Sequence, residues 1–132
     1  MLNIENLFVE KKTIKDNIIM HVSDELHINQ SQTKDIFSNK WEKVSNMPNN
    51  VDTFYKTQFE WFLSLYGFDN ETDLSLFLSS KKVIVDAGCG LGYKAGWFAE
   101  LAPHATVIGI DLSDAVYIAA ETYKSHKNLF FT

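Results

Sequence analysis

Arginine is absent from this 132-residue sequence, so all 12 basic side chains are lysine. Arginine's planar fork is the preferred partner of phosphate groups and guanine edges. Its absence, with a formal charge of −5, argues against direct nucleic-acid binding by this stretch of chain. The only cysteine, Cys89, rules out an internal disulfide framework and a cysteine-built zinc site. His21, His27 and His126 show no metal-ligand spacing, so no metal is expected. No apolar run approaches the ~20 residues that span a bilayer. The opening MLNIENLFVEKK carries acids and no small-residue cleavage site, unlike a secretion signal. A cytoplasmic protein without membrane contact is expected. What the chain does have is apolar material for a core: 45% hydrophobic and 14% aromatic residues, in a length that suits one domain.

Ile14, Ile18, Val22 and Leu26 recur every fourth residue, the stripe of an amphipathic helix over 12–27. The polar stretch 27–44 has isolated apolar residues and supports no assignment. Residues 45–50, Ser-Asn-Met-Pro-Asn-Asn, form a loop by composition. That loop divides a helical or irregular extension, 1–50, from a main domain, 51–132. Asp52 is placed as the N-cap of a helix that Gly67 ends. Tyr55, Phe59, Phe62 and Tyr66 share one face of it, with Trp61 and Leu65 beside them. Packing against a sheet explains these aromatics better than an adenine-stacking surface does. A short helix is expected from Asp73 to Leu78.

From Lys82 the pattern changes. KVIVDAG is a compact β-branched run, the mark of a fully buried strand in a parallel sheet. A glycine turn then enters the helix GLGYKAGWFAELA, which Pro103 closes. ATVIGIDLS forms a second buried strand ending in an acid. DAVYIAAETYKSHK is a helix with Val116, Ala119, Ala120 and Tyr123 facing the sheet, and NLFFT begins a third strand. Strand, helix, strand, helix, strand is the first βαβαβ half of a Rossmann-like α/β fold, a three-layer α/β/α sandwich with a parallel sheet.

The chemistry lies in Asp86-Ala87-Gly88-Cys89-Gly90-Leu91-Gly92, directly after a strand. Glycines let this turn bend sharply and lie against a ligand. The helix that follows aims its free N–H groups into the same space. Asp111 closes the next strand, where a carboxylate can accept hydrogen bonds from ribose hydroxyls.

These residues resemble the class I S-adenosylmethionine-dependent methyltransferases, over roughly residues 80–132. Asp86, Gly88, Gly90 and Gly92 match the family's first motif, and Asp111 its second. The resemblance implies that the glycine loop, with Cys89, packs against the methionine and ribose portion of S-adenosylmethionine. It also implies that Asp111 binds the ribose diol and that Leu112 and Ser113 border the adenine. The helix ahead of the first strand is weakly similar to the leading helix of small-molecule methyltransferases.

The rival reading is an NAD-dependent oxidoreductase, because Gly90-Leu91-Gly92-Tyr93-Lys94-Ala95 also fits a dinucleotide fingerprint. Asp86 weighs against it: a carboxylate there repels a pyrophosphate and favours an ammonium or sulfonium. A truncated, non-catalytic interaction module is the non-enzyme alternative. Cys89 is best explained as a small residue in a tight loop, Lys94 as an exposed helical lysine, and His104 as a solvated turn residue. Trp41 and Tyr55 fit core packing better than a roof over the cofactor. Asp114, at a helix start, is expected to contribute little to cofactor affinity.

In the family, acceptor contacts and any catalytic base come largely from later strands and loops. Such a base is needed only if the acceptor holds its proton. The chain ends at Thr132, and the family's third motif is absent. The expectation is therefore a cofactor-binding half, inactive alone, of an enzyme that methylates a small molecule. No catalytic base is named. The first strand would keep an open edge, inviting self-association.

Overall fold

The computed structural model describes residues 3–10, 12–20, 28–46 and 51–132. Its elements in chain order are β1 (Thr13–Lys15), β2 (Ile18–Met20), α1 (Ile28–Ser45), α2 (Val51–Tyr66), α3 (Glu71–Leu78), β3 (Val83–Ala87), α4 (Tyr93–Leu101), β4 (Thr106–Ile110), α5 (Ala115–Thr122) and β5 (Leu129–Phe131). A 3-10 turn, Ile4–Leu7, precedes them. The strands form one sheet in the order β1-β2-β5-β4-β3. Pairing is parallel from β2 through β3, and β1 runs antiparallel to β2. This is the Rossmann-like α/β arrangement, with the expected βαβαβ unit running from β3 to β5.

β4 is buried from Thr106 to Gly109 because it has a strand on each side. β3 differs from the fully buried strand its composition implies. It lies at the sheet edge, and Val85 is 53% exposed. β-branched content reports strand formation, whereas burial depends on what covers the strand.

Alternation along the strands separates two faces. Val107, Leu129 and Phe131 point into the larger core with α3, α4 and α5, and Phe59, Phe62 and Leu63 of α2 pack on it. Ile108 points to the other face, where it meets Ile4 and Ile19, with Val83 and Phe130 beside them. Among the described residues, α-helices back only the first face. On the second face the 3-10 turn and Phe8 pack against side chains of the sheet, including Ile14 and Ile19 of the hairpin.

The helix expected over 12–27 is replaced, as far as Met20, by the β1–β2 hairpin; Val22 and Leu26 lie outside the described residues. Asp16 turns the chain with φ 56°, a left-handed conformation that Asp tolerates better than most residues. Ile14 then pairs with Ile19 across the ladder. Asn17 locks the hairpin down. It is buried, its side-chain amide donates to the Ala120 carbonyl at 3.0 Å, and its own carbonyl accepts from Phe131 N–H at 2.8 Å. β-branched isoleucines with an Asp-Asn turn between them favour a hairpin locally, and that signal outweighs a four-residue stripe.

The unassigned polar stretch becomes α1, and Ser45, expected in the loop, is its last residue. Residues 47–50 of that loop lie outside the described residues. α2 begins at Val51, so Asp52 sits in its first turn rather than at the cap. Gly67, at φ 75°, ends it as expected. α3 starts earlier than Asp73, because Asn70 caps it by accepting from Asp73 N–H at 3.0 Å. On α5, Val116, Ala119 and Ala120 are buried, and Tyr123 packs beside them, on the face the spacing indicates.

Candidate cofactor site

β3 and β4 deliver the two acids to the same end of the sheet. Ile110 at the end of β4 accepts from Gly88 N–H at 2.7 Å and from Cys89 N–H at 3.0 Å. The loop is thereby folded back over the strand ends. Gly92 N–H then closes onto the Cys89 carbonyl at 2.9 Å, and α4 begins. Gly92 itself must be glycine. Its φ is 78°, and a Cβ there would stand 2.7 Å from the Phe131 ring.

Asp111 ties this loop to the next. One carboxylate oxygen accepts from Gly90 N–H at 2.8 Å. The other accepts from Ser113 N–H at 2.8 Å and Ser113 Oγ at 2.6 Å. Ser113 is 2% exposed, while Leu112 is exposed at the rim. Ser113 thus orients Asp111, and Leu112 is the one of the pair that faces outward.

Asp86 is in a different position. Its Oδ2 is buried and has no hydrogen-bond partner among the described residues. Burial holds the Asp86 carboxyl above the usual carboxylate range, against the opposing pull of Lys94 and the Ala95 backbone N–H, and the charge of Asp111 adds to the rise. A buried acceptor without a donor is costly unless something pairs with it. Cys89 sits among these groups. Burial, with Asp86 and Asp111 nearby, pushes its thiol up to about 12, so it is a protonated packing group rather than a nucleophile.

Asp86, Gly88, Cys89, Gly90, Gly92, Asp111, Leu112 and Ser113 therefore gather at the carboxyl ends of β3 and β4, where ligands bind in open α/β sheets. His104 is exposed in its turn. Lys94 departs from the bland reading: it is half-buried, lies 5.8 Å from the Tyr93 ring centre, and its charge reaches Asp86. Tyr55 stacks on Tyr93 at 4.6 Å between ring centres. A cavity of about 730 Å³ between the hairpin turn, α5 and the start of β5 lies at the opposite end of the strands.

Sequence reasoning missed what α1 contributes. Lys34 Nζ meets Asp114 Oδ1 at 3.0 Å, and Ser38 Oγ accepts from Asp114 N–H at 3.0 Å. Asp114 thus anchors α1. Trp41 lies over the loop rather than in the core: a Cβ on Gly90 would stand 2.5 Å from its ring. The spacing 34, 38, 41 was the available signal, since it places all three on one face of a helix.

The structure is similar to that of magnesium protoporphyrin IX methyltransferase from Synechocystis PCC 6803, solved with bound SAH. The TM-score is 0.51 at 18% identity, over 79% of this chain and 50% of that one. The fold is that of the class I S-adenosylmethionine-dependent methyltransferases. The chain spans half the length of that methyltransferase. A TehB-like SAM-dependent methyltransferase from Corynebacterium glutamicum matches with a TM-score of 0.36 at 23% identity, over 64% of this chain and 45% of that one. In sequence, 38 residues, 29% of the chain, are 47% identical to an uncharacterized phycocyanin operon protein W of Pseudanabaena tenuis and cover 36% of it. No family model matches. No helix among the described residues is long and apolar enough to cross a membrane.

Proposed function

We propose that residues 83–132 hold S-adenosylmethionine at the glycine loop, as the cofactor side of a methyl transfer to a small molecule. The observation that carries this is the buried, unpartnered Oδ2 of Asp86. An ammonium group is the partner that such an oxygen lacks, and S-adenosylmethionine carries one. A pyrophosphate would meet the same carboxylate as a repulsion, which disfavours NAD. Gly88, with nothing within 4 Å of where a Cβ would stand, leaves its backbone bare for the methionine and ribose portion, while Trp41 and Phe131 already pack on Gly90 and Gly92. Asp111, with Oδ2 engaged by a single donor, has capacity left for a ribose hydroxyl. Leu112 would border the adenine from the rim, with Ser113 and Cys89 behind the contact surface.

When bound, the cofactor supplies an activated methyl group, and the chain's own task is alignment and exclusion of water. The stacked Tyr55 and Tyr93 rings suit the second task. Burial raises both hydroxyls, so neither serves as a base near neutral pH, and no catalytic base is assigned. In this reading residues 51–132 form the cofactor half and residues 1–50 an attached segment, in a cytoplasmic protein. β3 lacks a partner on its outer side among the described residues and exposes Val85. Self-association through that edge is expected, as is cofactor binding without turnover, since no acceptor site or base is assigned among the described residues. Light scattering after size exclusion tests the association, and a radiolabelled methyl-transfer screen tests the turnover. A monomer with enzymatic turnover would contradict both. Calorimetry with S-adenosylhomocysteine and NAD tests the ligand: binding of the first alone is expected, and tighter binding of NAD would overturn the reading.

A further inference from the structure

We infer that α1 is a cover for the cofactor loop and that Trp41 is its ligand-contacting residue, donating its indole N–H to an oxygen of the bound cofactor. The inference rests on the cofactor reading above and adds to it a binding residue from outside the βαβαβ unit. Three observations converge on it. The Trp41 ring packs so closely on Gly90 that no side chain larger than hydrogen fits there. Its Nε1 is buried and has no acceptor among the described residues. A buried indole N–H normally finds a partner, and the ligand proposed for this loop is rich in carboxylate and hydroxyl oxygens.

The third observation is how α1 is held. Apart from Trp41 on Gly90, its fastening is polar: the Lys34–Asp114 ion pair and the Asp114 N–H to Ser38 bond. Ile36 is 68% exposed and Phe37 43% exposed, so these apolar side chains of α1 do not anchor it in a core. A helix fastened by exposed polar contacts opens at little cost, because such contacts contribute little net stability. An element docked that way can lift to admit a ligand and settle onto it.

The test is titration of the full chain with S-adenosylhomocysteine, followed by calorimetry and by hydrogen exchange over residues 28–46. It is run on the wild type, Trp41→Phe and Trp41→Ala. Trp41→Phe keeps the ring and removes only the donor. Its affinity should fall roughly three- to tenfold, the effect of one net hydrogen bond, and Trp41→Ala should fall further. Amide protection across α1 should rise on binding in the wild type and rise less in the variants. Wild-type binding with unchanged affinity in both variants and no change in α1 protection would overturn this inference and leave the cofactor reading intact. Failure of the wild type to bind would overturn both.

Discussion

From Val83 to Phe131 each element is held by elements close to it in sequence: β3 pairs with β4, β4 with β5, and the helices between them pack on the strands they join. Between Asn3 and Ser45 the hairpin and α1 take their positions from distant residues. Asn17 bonds to Ala120 and Phe131, Ser38 to the Asp114 backbone, and Trp41 packs on Gly90. The first region contains its own instructions, while the second is shaped by the surface it lands on. The same contrast runs through the two acids. Asp111 accepts from Gly90 and Ser113 and ties two loops together, whereas Asp86 keeps one buried oxygen, Oδ2, without a donor among the described residues.

The contrast can be broken most sharply at Gly92. Gly92→Ala combines a left-handed backbone with a Cβ pressed against Phe131 and Ala119. A destabilisation of roughly 2–5 kcal/mol is expected in chemical denaturation. A loss under 1 kcal/mol would mean that the loop is not locked to the core. Asp111→Ala comes next, since it strips the acceptor from Gly90 N–H and from Ser113. It should cost ~1–3 kcal/mol of stability and weaken S-adenosylhomocysteine by roughly ten- to 150-fold if the ribose role holds as well. Stability loss with unchanged affinity would leave Asp111 a tie and nothing more.

Gly90→Ala probes the border between the two regions. Its φ of 53° strains any residue, but the crowding comes from Trp41. In a Trp41→Ala background the penalty should shrink, giving a coupling of roughly 0.5–3 kcal/mol in a double-mutant cycle. Additive losses would place Trp41 away from the loop in solution. The smallest effect is at the fastening of α1. Lys34→Ala removes an exposed ion pair and should cost under about 1 kcal/mol.

The legibility of the molecule follows the same division. The strands ending at Ala87 and Ile110, the glycine turn, and the inward face of α5 were readable because period and turn chemistry agree there with the final packing. The open edge of β3 was expected from the strand order of the family, but its exposure at Val85 was not, because composition reports strand formation and not what covers the strand. The hairpin was misread since Ile14 and Ile18 fit a helical stripe as well as strands on either side of Asp16-Asn17. α1 carries so few apolar residues that its docking surface can be found only once Asp114 and Gly90 are in place. The candidate site was legible as a set of residues. That Asp86 Oδ2 lacks a donor while both oxygens of Asp111 have one required the fold.

The central proposal is that Asp86 Oδ2 is kept without a donor for a cationic group of the cofactor, and Asp86→Asn tests it most directly by changing stability and affinity in opposite directions. Burial raises the Asp86 proton affinity in the folded chain above its unfolded value. The stability it contributes is therefore full below the ordinary carboxylate range and is lost as pH rises through the raised folded value. Asparagine imitates the protonated form, so the ligand-free variant should melt higher than the wild type at neutral pH. The same substitution removes a charge-assisted contact to an ammonium, worth ~1.5–3 kcal/mol, so S-adenosylhomocysteine should bind roughly ten- to 150-fold more weakly. Measured side by side, a raised melting temperature with weakened binding is the predicted result. A variant that binds S-adenosylhomocysteine as tightly as the wild type, whatever its melting temperature, would contradict the assignment of Asp86.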